Sequence, residues 1–333
     1  MLPLPVFRHH RPSTLREAVD LLASIGGSAR VFAGGTDLLP NMKHGIAEPE
    51  HLVSISQLPE LRQLKLVSTG ETEHLVLGTG LRLREIAESV LVRRFAPALG
   101  EAASLVGGPH HQNMGTLGGN ICLDTRCQYI NQTYFWRKAL GFCIKKDGTV
   151  CHVVRGGSKC VAAASNDTGP ALIALEAELQ LLSAKGERCV AAAEFYTADG
   201  VKNNVLDPGE VVVSATIPIV PGRRSAFEKL RRRGAIDFPL LSVAVRADVD
   251  ASQSHISALD VVISALGARP RRLRNAARSS ALALDSVAPD LAEAAYAECK
   301  PLTNLDDEIE WRRDMVRVLV KRAAERVLVR WPS

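Results

Sequence analysis

Four of the seven cysteines in this 333-residue chain, Cys127, Cys143, Cys151 and Cys160, fall in one polar, glycine-bearing stretch. Between neighbours lie 15, 7 and 8 residues. The close C-x2–4-C pairs of most zinc sites are missing from this set. Widely spaced thiolates on a long loop suit an iron–sulfur cluster, whose bulk can gather distant ligands. The competing reading makes them small apolar fillers, although loop thiols in a reducing cytosol are an oxidation liability. Cys122 is a competing ligand; it follows an apolar "NICL" setting and reads as buried. Cys189 and Cys299 read as core or helix residues.

Two glycine-rich segments are the second chemical signal. "AGGTDLL" follows a short apolar strand at residues 33–39. Glycines let a backbone come close to a ligand, and successive N–H groups make an anion-holding concavity. A tight turn needing positive φ at Gly34 or Gly35 would read the same. "NMGTLGGN", residues 113–120, repeats the chemistry with Thr116 and Asn120. Two such turns, both next to strands, are what a long two-phosphate cofactor needs from two sides. Neither is the Rossmann G-x-G-x-x-G. Lys229 stands mid-strand between apolar neighbours, where a cation can approach a phosphate or a flavin. His110 and His111 lack a third ligand, and no G-x-S-x-G, H-E-x-x-H or P-loop motif is present.

These residues need elements to position them. Thr14 and Glu17 form a capping box for a helix with Leu15, Ala18, Val19, Leu22 and Ile25 on one face, stopped by Gly26-Gly27. "HLVSIS" and "LVLGTG" read as strands, "RLREIAESVLV" and "PALGEAASLVGG" as helices. From Cys122 to about Ser165 no periodicity is visible, and loops that long are commonly functional. A helix and strands resume at "DTGPALIALEAELQLL", and Pro218 and Pro221 suggest a boundary. Beyond it come antiparallel strands and then helices. In the last helix Ile309, Val316, Leu319, Ala323 and Val327 share a face, between an acidic start (Asp306, Asp307, Glu308) and a basic end (Lys321, Arg322, Arg326).

Composition narrows the function classes. Apolar residues at 46% fill real cores and charged residues at 23% are ordinary, which excludes disorder. A net charge of +5 and 5% aromatics are too little to argue for nucleic acid. No run reaches the roughly 18 apolar residues of a membrane span, and no signal peptide is visible, so a cytoplasmic location is expected.

"AGGTDLL", "NMGTLGGNI", "SNDTGPALIALEA" and "FEKLRRRGAIDFPL", in this order, resemble the medium, FAD-binding subunits of molybdenum hydroxylases such as xanthine and carbon monoxide dehydrogenases. The resemblance covers essentially the whole chain. It implies an α+β fold: a two-subdomain FAD-binding region, 1–220 (about 1–58 and about 59–220), then a small antiparallel-sheet-plus-helices domain, 221–333. It also implies site residues. Phe32, Ala33, Gly34, Gly35, Thr36, Asp37 and Leu38 would cradle the FAD pyrophosphate from one side. Thr116, Gly118, Gly119 and Asn120 would do so from the other. Asp167 would contact the sugar-phosphate portion, Val213 the adenine, and Lys229 the isoalloxazine surroundings.

Most members run almost directly from the second glycine motif to an "SD" segment, whereas some 40 residues intervene here, at 122–165. This insertion resembles that of the 4-hydroxybenzoyl-CoA reductase branch, in which it carries a [4Fe-4S] cluster. Cys127, Cys143, Cys151 and Cys160 would be its ligands. The implied partners are a molybdopterin large subunit, a [2Fe-2S] small subunit and ferredoxin, in a dimer of heterotrimers. The implied role is electron relay, with no substrate-converting residue in this chain. Two other readings stay open: an FAD subunit reducing NAD or a quinone with a structural cysteine loop, and a zinc-loop assembly subunit.

Overall fold

The computed structural model describes residues 2–250, 256–274, 284–305 and 308–328. Three sheets follow one another along the chain. The first is parallel, in the order β1-β3-β2, with β1 (Arg8–His10), β2 (Ala29–Phe32) and β3 (His51–Ser54). Helix α1 (Leu15–Ile25) crosses from β1 to β2. Its Thr14 hydroxyl accepts from the Glu17 N–H at 3.1 Å, but the Glu17 carboxylate turns to Ser13 N (2.7 Å) and Oγ (2.8 Å). Its apolar face packs Leu15, Ala18, Val19 and Leu22 against Val53, Leu58 and Leu61. Gly26, at φ 75°, ends it. The chain then leaves β2 and enters α2 (Leu38–Lys43).

The second sheet is antiparallel, in the order β4-β5-β8-β6-β7. Its strands are β4 (Leu64–Thr69), β5 (Thr72–Gly78), β6 (Glu178–Ser183), β7 (Gly186–Ala191) and β8 (Val211–Pro218). Between β5 and β6 run α3 (Leu83–Glu88), α4 (Val90–Phe95), α5 (Pro97–Ser104), α6 (Pro109–Met114) and α7 (Leu117–Ile121). The cysteine stretch with α8 (Tyr134–Ala139) and then α9 (Thr168–Ala174) complete this connection; α10 (Ala192–Phe195) follows β7. The helix expected across "RLREIAESVLV" is two. Ser89 is extended (φ −66°, ψ 128°) and its Oγ caps Val92 N at 3.3 Å, a bond that competes with helix continuation. The second glycine turn likewise lies between two short helices, not beside a strand in sequence.

The third sheet is antiparallel, β12-β11-β10-β9, from β9 (Arg223–Leu230), β10 (Leu241–Val249), β11 (Ile256–Ser264) and β12 (Arg271–Arg272). It packs on α11 (Leu284–Glu298) and α12 (Ile309–Leu328). Strand β10 is buried along its whole length because both faces are covered. Leu241, Val243, Val245 and Ala247 face the α11–α12 core, while Ala244 joins Phe227 and Val262 in the core of the second sheet's region. On that shared face Arg223 pairs with Asp248 (2.8 and 2.9 Å) and Glu176 (2.7 Å), and Arg246 with Asp248 (2.6 Å). In α12 Val316, Leu319, Ala323 and Val327 are buried as expected, and so is Arg312. Asp306 and Asp307, expected to start this helix, lie outside the described residues.

Arg312 explains how the third unit reaches the cysteine stretch. Its guanidinium donates to the carbonyls of Leu240 (3.2 Å), Leu302 (2.8 Å) and Ala265 (2.9 Å), fixing the turn before α12. In that turn Asn304 donates to Val161 O at 2.8 Å and accepts from Gln128 N at 2.9 Å. The turn thus grips the insertion beside Cys127 and beside Cys160.

Candidate functional site

The two glycine segments meet. A Cβ placed on Gly34 would overlap the Met114 carbonyl, and one on Gly115 would lie 3.6 Å from Thr36 Oγ1. Gly35 sits at φ 69°, and a Cβ there would fall 2.8 Å from the Phe32 ring. Both residues are glycine for steric reasons, one because of a neighbouring backbone and the other because of its own conformation. Thr116 accepts from Gly119 N at 3.1 Å and so starts α7. Gly118 lies over Thr79, where a Cβ would come within 2.8 Å, and its N–H donates to Thr79 O at 2.9 Å. The second turn is therefore seated on the end of β5, which restores a strand contact that the sequence order hides.

Asn120 extends the site. Its Oδ1 accepts from Thr168 N (2.9 Å) and Thr168 Oγ1 (2.7 Å), which holds the start of α9 against α7. The neighbouring Asp167 pairs with Lys229 at 2.7 Å, with the two side chains only 3% and 1% exposed. Lys229 also donates to Leu105 O at 2.9 Å. Burial pushes the Asp167 carboxyl up to about 6, against the opposing pull of Lys229. Its Oδ1 is buried and has no hydrogen-bond partner among the described residues. Buried acceptors seldom stay unpaired, so this atom marks a place for a donor from outside the protein.

Two residues expected at the site, Asp37 in the cradle and Val213 at the adenine, make contacts within the chain. The Asp37 carboxylate is bound by Arg126 and by Asn41 Nδ2 (2.9 Å), so it faces the cysteine insertion. Burial raises its carboxyl while Arg126 opposes the rise. Val213 points into the core with Leu58, Leu61 and Val211, and its carbonyl accepts from Thr79 N at 3.0 Å. Its side chain packs as core because β8 alternates and this position faces α1's layer.

The insertion folds into a small lobe around a buried apolar cluster of Cys127, Ile130, Cys143, Cys160 and Ala162, with the half-buried Cys151 near Cys127 and Cys160. Burial pushes the Cys127 thiol up to about 12, and the proximity of Cys160, Cys143 and Cys151 adds to the rise. Backbone N–H groups already point at the sulfurs: Tyr129 at Cys127, Val154 at Cys151 (3.4 Å) and Ala162 at Cys160 (3.5 Å). Such donors favour the thiolate form, which metal coordination requires. Lys145, donating to Asp124 (2.7 Å) and Thr125 (2.8 Å), adds a cation that favours the Cys160 thiolate. Among the described residues no three His, Cys, Asp or Glu side chains converge as a single-ion site. Cys122 stands apart, its sulfur buried near Tyr196. Cys189 was expected in a core or helix and is instead exposed on β7, at the sheet edge.

The comparisons with known proteins agree with this layout. Residues 5–220 match the family described as the FAD binding domain in molybdopterin dehydrogenase, and 225–327 match the CO dehydrogenase flavoprotein C-terminal domain. The chain belongs to this flavoprotein family. The carbon monoxide dehydrogenase medium chain of Hydrogenophaga pseudoflava is 31% identical over 330 residues, covering 97% of each chain. The xanthine dehydrogenase FAD-binding subunit of Escherichia coli O157:H7 is 26% identical, covering 94% of this chain and 93% of that one. Among solved structures, CO dehydrogenase of Hydrogenophaga pseudoflava lacking the Mo-pyranopterin moiety superposes with a TM-score of 0.76, at 27% identity and 98% coverage of both chains. Reconstituted CO dehydrogenase from Oligotropha carboxidovorans gives 0.77 at 25% identity, covering 99% of this chain and all of that one. The protein is thus an oxidoreductase subunit with an FAD-binding domain, and no helix among the described residues is long and apolar enough to cross a membrane.

Some participants carry no motif. Arg126, the residue before Cys127, pairs with Asp37 of the cradle, and its guanidinium stacks 3.5 Å from the Phe238 ring centroid. Asn304 reaches the lobe from the far end of the chain. A lone Arg beside a cysteine and a lone Asn before a helix have no spacing that would single them out.

Proposed function

We propose that this flavoprotein subunit relays electrons from ferredoxin through a [4Fe-4S] cluster to FAD, and on to the [2Fe-2S] and molybdopterin subunits of a cytoplasmic dimer of heterotrimers. The end reaction is the removal of the para-hydroxyl of 4-hydroxybenzoyl-CoA: two electrons and two protons enter, and benzoyl-CoA and water leave. FAD supplies the ability to hold one or two electrons, and the protein supplies position and charge. Phe32 to Thr36 with Thr116, Gly118, Gly119 and Asn120 hold the pyrophosphate. Asp167 offers its unpaired Oδ1 to a hydroxyl of the flavin's sugar-phosphate portion, and Lys229 balances that carboxylate. Asp37 and Val213 support the cradle from behind.

The observation that carries the reading is the gathering of Cys127, Cys143, Cys151 and Cys160 into one lobe, with N–H donors turned toward three of the sulfurs. Thiols spread around a lobe suit ligands arranged about a cube better than four bonds to one ion. A second reading has its own support. The 31% identity to a carbon monoxide dehydrogenase medium chain favours a hydroxylase subunit that passes electrons from molybdenum outward to NAD or a quinone, with a structural lobe. Metal and flavin analysis of the anaerobically purified complex separates them. About four irons and one FAD per chain are expected. Full flavin without iron would leave the second reading standing, and zinc in the lobe would end the first.

A further inference from the structure

The lobe is unlike the rest of the surface in charge. Residues 122–165 hold seven Lys and Arg against two Asp, a net +5, which equals the net charge of the whole chain. Everything outside the lobe is balanced. Several of these charges are used internally: Arg126 on Asp37, Arg137 on Asp147, Lys145 on Asp124, Lys146 on Glu48. Lys138, Arg155 and Lys159 are exposed, and none of them has an ion-pair partner among the described residues.

The same lobe exposes aromatic side chains. Helix α8 begins with Tyr134, Phe135 and Trp136, which are 45%, 82% and 39% exposed, and Leu140 just beyond it is 44% exposed. The helix is held from beneath by Arg137, which is buried and donates to the carbonyls of His44 (3.2 Å) and Gly45 (2.9 Å). Trp136 lies 6.5 Å from Tyr129, and the Tyr129 N–H points at Cys127. Helix α8 therefore contacts, through Tyr129, the segment that carries Cys127. Exposed aromatic anchors on a lobe with unpaired charge of one sign are the make-up of a small, transient interface with rapid association.

We propose that α8, with Phe135, Tyr134, Trp136 and Lys138, on a lobe that also exposes Arg155 and Lys159, forms the docking face for a small acidic one-electron carrier protein. The proposal rests on the relay reading of the cysteine lobe and adds the surface and the sign of its partner. Charge complementarity steers the encounter, and the aromatic side chains seat the carrier over Tyr129 and Cys127. In each encounter the carrier loses one electron and the lobe gains one, with no proton transferred.

The test uses the assembled complex, with an acidic [4Fe-4S] ferredoxin as the reduced probe and stopped-flow reduction as the readout. The second-order rate should fall by about tenfold or more as salt is raised from low to high. Phe135→Ser combined with Lys138→Glu should cut the low-salt rate by at least about tenfold. Iron, flavin and reduction by a small dye should stay at wild-type levels. An unchanged ferredoxin rate in that variant, with iron intact, would overturn the docking face and leave the relay reading in place. A variant complex that sheds subunits would reassign α8 to the assembly and overturn it as well. A wild-type complex without iron would instead sink the relay reading, and salt-independent ferredoxin binding by calorimetry would then sink the face separately.

Discussion

The glycine cradle and the cysteine lobe are built on opposite principles. The cradle is made of backbone. Gly34 lies against the Met114 carbonyl and Gly118 against Thr79, so its shape is fixed by main-chain contacts at the ends of two sheets. It should keep that shape when empty. The lobe is made of side chains on an irregular loop, with three cysteines among its five buried core residues. Much of its core is therefore the proposed ligand set itself, and under that proposal loss of metal would remove most of what orders it. Tethers at its edges, Arg137 to His44 and Gly45, Arg126 to Asp37 and Asn304 to Val161, hold it to both neighbouring units.

The largest effect should come from the cradle. Gly34→Val places a branched side chain into the Met114 carbonyl and must part the two loops. Flavin content should drop from about one per chain to nearly none, while iron is unchanged, as read by acid-released flavin and iron assay. Acid should release all the flavin from the wild type, since no His or Cys lies in either glycine segment to bond it. Retained flavin in the variant would mean that the pyrophosphate lies elsewhere.

Cys143→Ser should produce the reverse pattern. Iron should fall below half of the wild-type content with flavin retained, and trypsin should begin to cut between Cys127 and Cys160. The change exchanges a buried sulfur for a hydroxyl, which binds iron poorly. A variant that keeps its iron and resists trypsin would remove Cys143 from the ligand set. Cys122, whose sulfur lies near Tyr196, would then be the ligand to test in its place.

The contrast also explains what could be read in the sequence. Helix α1, the strands β2 and β3, the antiparallel C-terminal sheet and its last helix were legible because apolar periodicity and caps are local. The glycine segments were legible because a close approach demands glycine at fixed places. The core packing of Val213 was not legible, since an apolar residue on β8 looks the same whether it lines a ligand or a core. Nor was the pairing of Asp37, because its partner, Arg126, lies 89 positions away and is unremarkable in sequence. Ser89 looked like helix until its hydroxyl chose to cap Val92. Long-range side-chain choices of this kind depend on the finished packing.

Breaking the link between the regions should have a smaller effect than either loss. Arg126→Leu leaves the Asp37 carboxylate facing the lobe without its cation. The expected cost is about 1.5–3 kcal/mol, seen in denaturant unfolding, with both cofactors still bound. Asp37→Asn in the same background should recover part of it, because the uncompensated charge is gone. Additive effects of the two substitutions would show that the pair does not couple cradle and lobe.

The smallest effect is the most diagnostic of where the flavin lies. An ordinary Asp carboxyl titrates near 3.8, and Asp167 in the folded chain is raised to about 6. The folded, flavin-free chain therefore holds this proton more tightly than the unfolded chain does. The sign follows from linkage: the contribution is fully present below about 4 and is lost as pH rises through about 6. Relative to Asp167→Asn, the wild-type apo chain should lose stability between about pH 4 and pH 6 and then run parallel. Flavin should act in the opposite direction. A hydroxyl donated to the unpaired Oδ1 favours the carboxylate, so wild-type flavin affinity should rise as pH climbs through about 6. The Asn variant should show a flat profile over that range. Fluorescence titrations at pH 5 and pH 7 read the difference directly, and identical profiles would place Asp167 away from the flavin, its carboxylate serving only Lys229.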